Sequence, residues 1–433
     1  MAWVLYAPED GGQVQCVDAW VPFQMKWDLP DTERDGTISA VCRLRGVDAR
    51  STSARKLIVR VSVGVLGEAM IPGEMAVYEP DTLPEDVCVL KNTYPLRLPR
   101  EAGEKPFSLE ETLTLPGTMP RIEKLIRYAL QPEIIDQKVM GGKVVFRGIG
   151  ILHVLYRAAD GLLYSWDFEL PFSQYADLDH DYDQDASSQV TFGVTSMELD
   201  ADEEGNLHLK AGVTGQYLIS DRTTVPVIED AYSTRRPVKI QTEAQQLPII
   251  LEENSQTVHA EQYMDAEGTR VADVAFYPDH ARLLRSEQGV EAELPGQFQM
   301  LYYDTDGVLQ SGTSRWEGSW SLSAGEDTQM DAVVTASGKP QAELRGSQAE
   351  LRADVLLQTT GSARQGISMV TGLELGEITE PDPGRPSLIL RKAGQNSLWE
   401  IAKQSGSSVE AIQAANHLRE EPDPQQILLI PVP

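Results

Sequence analysis

The chain has 433 residues, 41% of them apolar, and a formal net charge of −29 at neutral pH. A field of that sign opposes contact with nucleic acid and with anionic lipid head groups, so neither is an expected partner. The sequence has no run of 18 apolar residues, which predicts that no segment inserts into a membrane. Three cysteines without a close pair indicate a reducing compartment, and six scattered histidines argue against a metal site.

The first element in chain order is VLYAPEDG at 4–11, which recurs as VLYRAADG at 154–161 and MLYYDTDG at 300–307. Successive copies start 150 and 146 residues apart, a spacing that predicts repeated domains and not a solenoid. The Gly that closes the acidic turn supplies the positive φ of a tight hairpin. Each copy is therefore predicted to be a β-hairpin.

The first copy starts three residues after Met1, whereas strand-like residues precede the other two, at 144–153 and 290–299. We therefore expect the first repeat to begin partway through, either because the start lies upstream or because another segment supplies a strand. The first residues also lack the basic region of a secretory signal.

A second shared element follows each hairpin motif: LIVRVSV from Leu57, LHLKAGV from Leu207 and LRADVLL from Leu351. Apolar residues alternate in all three, which is typical of a half-buried strand. A polar turn is expected before each strand, so each is predicted to be the second arm of a hairpin. These turns are expected at residues 48–54, 202–206 and 337–340.

The segments between these hairpins also correspond. Residues 85–98 are similar to 226–240, and residues 107–116 are similar to 247–254. PRIEKLIRYALQ at 120–131 has helical spacing, but Pro132 would end a helix and strand alternation competes, so we interpret it as a strand. The predicted fold is mainly β, with three related antiparallel domains, sandwich- or barrel-like. Their predicted bounds are 1–116, 117–240 and 241–376.

An acidic, proline-rich stretch at 377–387 is predicted to be a linker. After it, short strands are predicted at 388–391 and 427–431, with two helices between them. Ser397 and Glu400 have the spacing of a capping box, and Ser408 is the expected N-cap of the second helix. Residues 388–433 are thus predicted to form a small βααβ domain.

This tail resembles the LysM family in NSLWEIA at 396–402, VEAIQAANHL at 409–418 and ILLIP at 427–431. Gln395 and Asn396 depart from the Gly and Asp that are usual there. The resemblance implies a binding groove between two loops, while Leu398, Ile401 and Ile412 are expected in the core. The candidate groove residues are Gln395, Asn396, Ser397, Trp399, Asn416, His417 and Leu418.

The β repeats resemble the SPOCS domain of SipL-like sporulation proteins. The resemblance is carried by the I-L-x-x-L-Y hairpin, by PFS at 171–173 and by KPFSLEETLTLP at 105–116. It implies a spore-envelope morphogenetic protein of the mother-cell cytoplasm, at the forespore outer surface and spore coat. It also implies that the LysM end docks onto a spore-coat basement-layer morphogenetic ATPase.

Two other functions are compatible with the same sequence. LysM domains elsewhere bind N-acetylglucosamine polymers, so a cell-wall protein that binds peptidoglycan or a chitin-type glycan is the alternative. A β scaffold that assembles through exposed strand edges is a third hypothesis.

Catalytic and metal sites are not expected. Asp179, Asp181 and Asp183 have the first spacings of a calcium loop, but Gln184 and Val190 replace its Gly and Glu, so a solvated loop is predicted at 177–186. The sequence contains no nucleophile-elbow, phosphate-loop or zinc-protease motif. We therefore expect a non-catalytic protein without a cofactor.

Overall fold

The computed structural model describes residues 2–6, 14–26, 36–53, 55–71, 73–80, 82–183, 185–286, 289–379 and 384–432. In chain order the elements are β1 (Ala2–Tyr6), β2 (Gln15–Ala19), β3 (Thr37–Ser53), β4 (Lys56–Met70), β5 (Val87–Thr114), β6 (Ile122–Val139), β7 (Gly141–Ala158), β8 (Leu163–Tyr182), β9 (Ser187–Ala201), β10 (Asn206–Ser233), β11 (Val238–Asp265), β12 (Arg270–Pro278), β13 (Arg282–Ser286), β14 (Gly289–Tyr303), β15 (Leu309–Leu322), β16 (Gln329–Arg345), β17 (Gln348–Leu375), β18 (Leu388–Lys392), α1 (Leu398–Ser405), α2 (Val409–Asn416) and β19 (Ile427–Pro431). The protein is mainly β and its sheets are antiparallel, as predicted.

The three hairpin motifs form antiparallel pairs. β7 pairs with β8 across Gly161, and β14 pairs with β15 across Gly307, with φ angles of 81° and 76° at these glycines. β1 pairs with β2, but their predicted turn at 7–11 lies outside the described residues. Since a positive φ costs glycine little, the Asp-Gly pairs act as the sequence predicts.

The second set of hairpins is β3–β4, β9–β10 and β16–β17. The predicted turn at 202–206 is confirmed, with Gly205 at φ 92° and the amide of Asp202 donating to the carbonyl of Asn206 at 2.9 Å. The turn predicted at 337–340 is wrong. That stretch is an irregularity inside β16, and the chain reverses instead between β16 and β17, at Gly346, where φ is 64°.

Two other expectations concern strand extent. The segment 120–131 is a strand from Ile122 onward, because β6 pairs with β7 through it and Pro132 lies opposite Gly150. The turn predicted at 48–54 is too long, since β3 continues to Ser53, and residue 54 lies outside the described part. The polar side chains from Asp48 onward do not end β3, because its backbone pairing with β4 continues to Ser53.

The solvated loop predicted at 177–186 is wrong for residues 177–182, which belong to β8. Lys143 lies opposite Asp177 in the register, and their side chains form an ion pair at 2.8 Å. Tyr182, 8% exposed, anchors the strand end in the core. Gln184 lies outside the described residues.

The strands assemble into small sheets. Two three-stranded sheets, β6–β7–β8 and β5–β10–β9, recur in the later part of the chain as β12–β14 with β13 and β15, and as β11–β17–β16. β1–β2 and β3–β4 form two-stranded sheets in the described residues, and so does β18–β19. β5 precedes residue 116 but shares a sheet with β9 and β10. The predicted domain boundaries stay a prediction.

The chain divides into two compact units. Unit 1 comprises 1–72, 97–221 and 250–363, and unit 2 comprises 73–96, 222–249 and 364–433. In unit 1 one apolar core centres on Phe146 and Tyr156, and another on Phe298 and Met300, all fully buried. In unit 2 the core centres on Ile401, Ile412 and Leu428.

Candidate functional site

The predicted binding residues lie in the C-terminal segment, residues 388–432 of unit 2. β18, α1, α2 and β19 follow one another, and β18 pairs antiparallel with β19 so that Ile389 lies opposite Ile430. Leu398 is 2% exposed, while Ile401 and Ile412 are fully buried, as predicted. This core fixes the loops on either side of the helices.

Ser397 begins α1 with the predicted capping box. Its hydroxyl accepts a hydrogen bond from the amide of Glu400 at 3.2 Å, and the carboxylate of Glu400 accepts one from the amide of Ser397 at 3.0 Å. At α2 the hydroxyl of Ser408 accepts a hydrogen bond from the amide of Ala411, without a reciprocal bond from that alanine. The reciprocal bonds satisfy two donors at the start of α1, so Ser397 has a structural role here.

The structure brings two loops side by side. The amide of Gly394 donates to the carbonyl of Pro424 at 3.0 Å, and the amide of Ala393 donates to the carbonyl of Gln426 at 2.9 Å. The carboxylate of Glu421 accepts a hydrogen bond from the amide of Leu398 at 2.8 Å. Glu421 therefore occupies a backbone donor at the N-terminus of α1 that a ligand would otherwise use.

Gln395 and His417 are exposed on these loops, whereas Asn396 is half-buried. His417 ends α2 in the left-handed conformation, with φ 56°. Asn416 is tied to β19, because its amide group donates to the carbonyl of Leu429 at 2.6 Å and its oxygen accepts from the amide of the same residue at 2.7 Å. Leu418 packs against the core.

Trp399 is engaged inside unit 2. Its indole nitrogen donates to a carboxylate oxygen of Asp230 at 2.8 Å, and its ring meets that of Tyr232 edge-on at 4.8 Å. Lys403 donates to both oxygens of Asp230 at 2.7 Å, and the hydroxyl of Tyr232 donates to the carbonyl of Ser407 at 2.8 Å. The end of β10 thus covers one side of α1, which sequence reasoning missed.

Asp230 remains ionised between these partners. Its burial opposes ionisation, but hydrogen bonds from Lys403 and Trp399 outweigh this and lower the pKa of the carboxyl below its ordinary value. A charged carboxylate that accepts from both side chains holds α1 against β10 more firmly than a neutral acceptor would.

The outer face of the β18–β19 ribbon is largely apolar and exposed. Leu388, Leu390 and Ile427 are 49%, 70% and 67% exposed, and the register puts them on one face with the half-buried Leu429 and Pro431. We call these five residues the ribbon face; the exposed Lys392, opposite Ile427, lies at its edge. The opposite face is buried, with Leu428 and Ile430 fully inaccessible. The alternation in LILR carries the signal for this face, but sequence alone does not say which side is covered.

Unit 1 contains a buried charged cluster that the sequence did not indicate. Nδ1 of His153 lies 2.6 Å from Asp167, and Nε2 lies 2.8 Å from Asp273. Arg127 contacts the other oxygen of Asp273 at 2.5 Å and the hydroxyl of Tyr277 at 3.1 Å. The side chain of Asp273 is 3% exposed.

Burial lowers the pKa of His153, but the carboxylates of Asp167 and Asp273 outweigh it and raise the pKa to about 9. His153 is therefore an imidazolium at neutral pH, with Nδ1 donating a hydrogen bond to Asp167 and Nε2 forming an ion pair with Asp273. An imidazolium has no ring lone pair to accept a proton, so at neutral pH His153 is one charged member of an ion network with Asp167, Asp273 and Arg127. His153 and Asp167 also line a cavity of about 400 Å³ together with Trp3, Val61 and Phe276.

Two further observations concern the described ranges. No group of three or more histidine, cysteine, aspartate or glutamate side chains is placed there to hold a metal ion. In the same ranges, no helix combines the length and apolar character needed to cross a membrane.

Fold and site together define a mainly β protein with a short strand–helix–helix–strand segment near its end. The family model described as "SipL, SPOCS domain" matches residues 121–202, which hold β6, β7, β8 and β9. This match supports the predicted SipL-like resemblance over that range and indicates a sporulation-related protein. No curated protein and no solved structure matches the chain. The remaining repeats and the LysM resemblance stay predictions.

Proposed function

We propose that the protein is a non-catalytic scaffold of spore-envelope assembly, and that its C-terminal segment is a LysM-type module that docks onto a protein partner. The partner proposed is the morphogenetic ATPase of the coat basement layer, in the mother-cell cytoplasm at the forespore outer surface. The family match at residues 121–202 supports the sporulation context. The observation that carries the docking claim is the ribbon face.

An exposed apolar patch on an otherwise highly charged protein is typical of an interaction site. Leu390 and Ile427 are the most exposed members of the ribbon face, and Lys392 is the charged residue that the register places beside them. On a chain with a net charge of −29, a patch of five apolar residues without an acidic neighbour in the register is a strong contrast. Covering one such side chain stabilises a complex by about 1.5–3 kcal/mol. These two residues are therefore the proposed anchors of the interface.

Glycan binding by the loop residues is the alternative. It relies on backbone donors near Asn396 and Ser397, yet the amide of Ser397 donates to Glu400 and that of Leu398 donates to Glu421. Because these donors are already used inside the segment, protein docking is the better-supported proposal.

The test is calorimetric titration of the purified ATPase into the full chain. The double variant Leu390→Ser/Ile427→Ser is expected to bind at least about 100-fold more weakly than the unsubstituted protein, because losing the burial of two such side chains costs about 3–6 kcal/mol. Val308→Ser is the matched control, since Val308 is 55% exposed but lies in unit 1 and outside the ribbon face. Equal affinity of the double variant and the control would contradict the proposal.

Point substitutions are preferable to truncation. Removing residues 388–433 would expose Tyr232, now 6% exposed, and would leave Asp230 without Trp399 and Lys403.

A parallel titration with chitin-type and peptidoglycan oligomers tests the alternative. Saturable glycan binding that Asn396→Ala and His417→Ala abolish would favour a cell-wall function instead.

A further inference from the structure

The repeats allow a comparison inside one molecule. The alternating strands that begin at Leu57, Leu207 and Leu351 lie in β4, β10 and β17. In the two later copies this strand is central in its sheet: β10 lies between β5 and β9, and β17 lies between β11 and β16. Within the described residues, β4 pairs with β3 alone.

The burial of the apolar side chains differs between the copies in the same way as the strand pairing. In β10 the alternating side chains of Leu207, Leu209, Ala211 and Val213 are at most 3% exposed, and in β17 those of Leu351, Ala353, Val355 and Leu357 are at most 8% exposed. In β4 the corresponding Leu57 is 38% exposed, and Val59, Val61 and Val63 are half-buried. The same pattern of apolar residues thus remains partly uncovered in the first copy.

Charge distinguishes the β3–β4 hairpin from the rest of the chain. Residues 36–71 carry six basic side chains and two acidic ones, whereas the whole chain has a net charge of −29. The basic residues are Arg43, Arg45, Arg50, Arg55, Lys56 and Arg60. An acidic strand that pairs with β4 would therefore be favoured electrostatically.

In the later copies β5 flanks β10 and β11 flanks β17, and these pairs show which side chains would lie opposite a strand added to β4. Thr114 donates to Asn206 at 2.8 Å and Thr112 lies 3.2 Å from His208, so the antiparallel order places Glu110 beside Lys210. In the third copy the equivalent pair is His259 and Asp354, 2.7 Å apart. Arg60 occupies the place of Lys210 and Asp354 in β4, three residues after the first leucine.

We propose that the edge of β4 opposite β3, which pairs with no other strand of the described residues, accepts an extended strand from a partner polypeptide, and that this strand is acidic with apolar residues at every second position. Backbone groups of β4 would supply the hydrogen bonds, as in other cases where a peptide extends a sheet. Its apolar residues would cover Leu57 and its neighbours, and an acidic residue would face Arg60. Opposite charges across paired strands stabilise the pairing.

The chain itself supplies the probe. A synthetic peptide with the sequence KPFSLEETLTLP copies residues 105–116, whose residues up to Thr114 belong to β5, the flanking strand of the second copy. Hydrogen exchange of the full chain is measured with and without it. Amides of β4 are expected to exchange about tenfold more slowly when the peptide is bound, since they become hydrogen-bonded. Amides of β10, already flanked on both sides, serve as the internal control and should not change.

Reversing the charge on the peptide or on β4 tests whether binding depends on the pairing of Glu110 with Arg60. A peptide with Glu110→Lys is expected to protect β4 less, and the protein variant Arg60→Glu should reverse this preference. Arg60→Gln is the second variant, and it should reduce the discrimination between the two peptides without reversing it. Absence of β4 protection, or protection that ignores both charges, would overturn the proposal. So would β4 protection that appears without peptide as protein concentration rises, because a second copy would then fill the edge.

Discussion

The ion network around His153 predicts a specific pH dependence for the stability of unit 1. The pKa rises from 6.5 to about 9 in the folded protein, which corresponds to a contribution of about 3 kcal/mol. Since the folded pKa is the higher one, this stability is fully present below about pH 6.5 and is lost as the pH rises through about 9. Solvent weakens it little, because the side chains of His153 and Asp273 are 21% and 3% exposed.

The assay is urea unfolding at pH 6 and pH 9.5, followed by hydrogen exchange of peptides from β7. The unsubstituted protein should lose about 3 kcal/mol more stability over this interval than His153→Gln, which keeps a donor but no titratable group. His259→Gln is the matched control. His259 also pairs with an aspartate, at 2.7 Å, but is 82% exposed, and exposed ion pairs contribute about 0–1 kcal/mol. If the unsubstituted protein and His153→Gln lose the same stability between pH 6 and pH 9.5, the ion network of His153 does not contribute the predicted pH dependence.

Two further predictions concern unit 2. Asp230→Ala removes the acceptor of Trp399 and should destabilise the packing of α1 by about 1–3 kcal/mol, seen as faster hydrogen exchange in α1; unchanged exchange would contradict it. Asp86 accepts two hydrogen bonds from Arg236 at 2.6 Å, which lower its pKa to about 2. Its contribution should be present above about pH 4 and lost as the pH falls towards 2, so Asp86→Asn should flatten the acid limb of an unfolding titration. An identical acid limb in both proteins would count against this.

Local signals predicted much of the fold. The hairpins at Gly161 and Gly307 follow from Asp-Gly, and the α1 cap follows from Ser397 and Glu400, because each depends on residues a few positions apart. The failure at 337–340 has a physical cause. Gly338 does adopt a positive φ, 68°, but a bulge inside a strand and a turn between strands both use such a glycine.

The site was less predictable because its contacts are distant in sequence. Trp399 and Asp230 are 169 residues apart, so no local pattern indicates that the indole is engaged inside unit 2. His153 lies in a strand between apolar residues, and its two carboxylates come from β8 and β12. Sequence spacing identified the loops of the C-terminal segment, whereas the exposure of the ribbon face required the strand register.

Docking of the proposed ATPase partner on the ribbon face is tested most directly by photocrosslinking. The purified ATPase is crosslinked to the full chain with p-benzoylphenylalanine placed at Leu390, and separately at Val308. If the ribbon face is the docking surface, we expect an adduct with the ATPase from position 390 and none from position 308. An adduct from neither position, or equal adducts from both, at concentrations where calorimetry shows saturation, would contradict it.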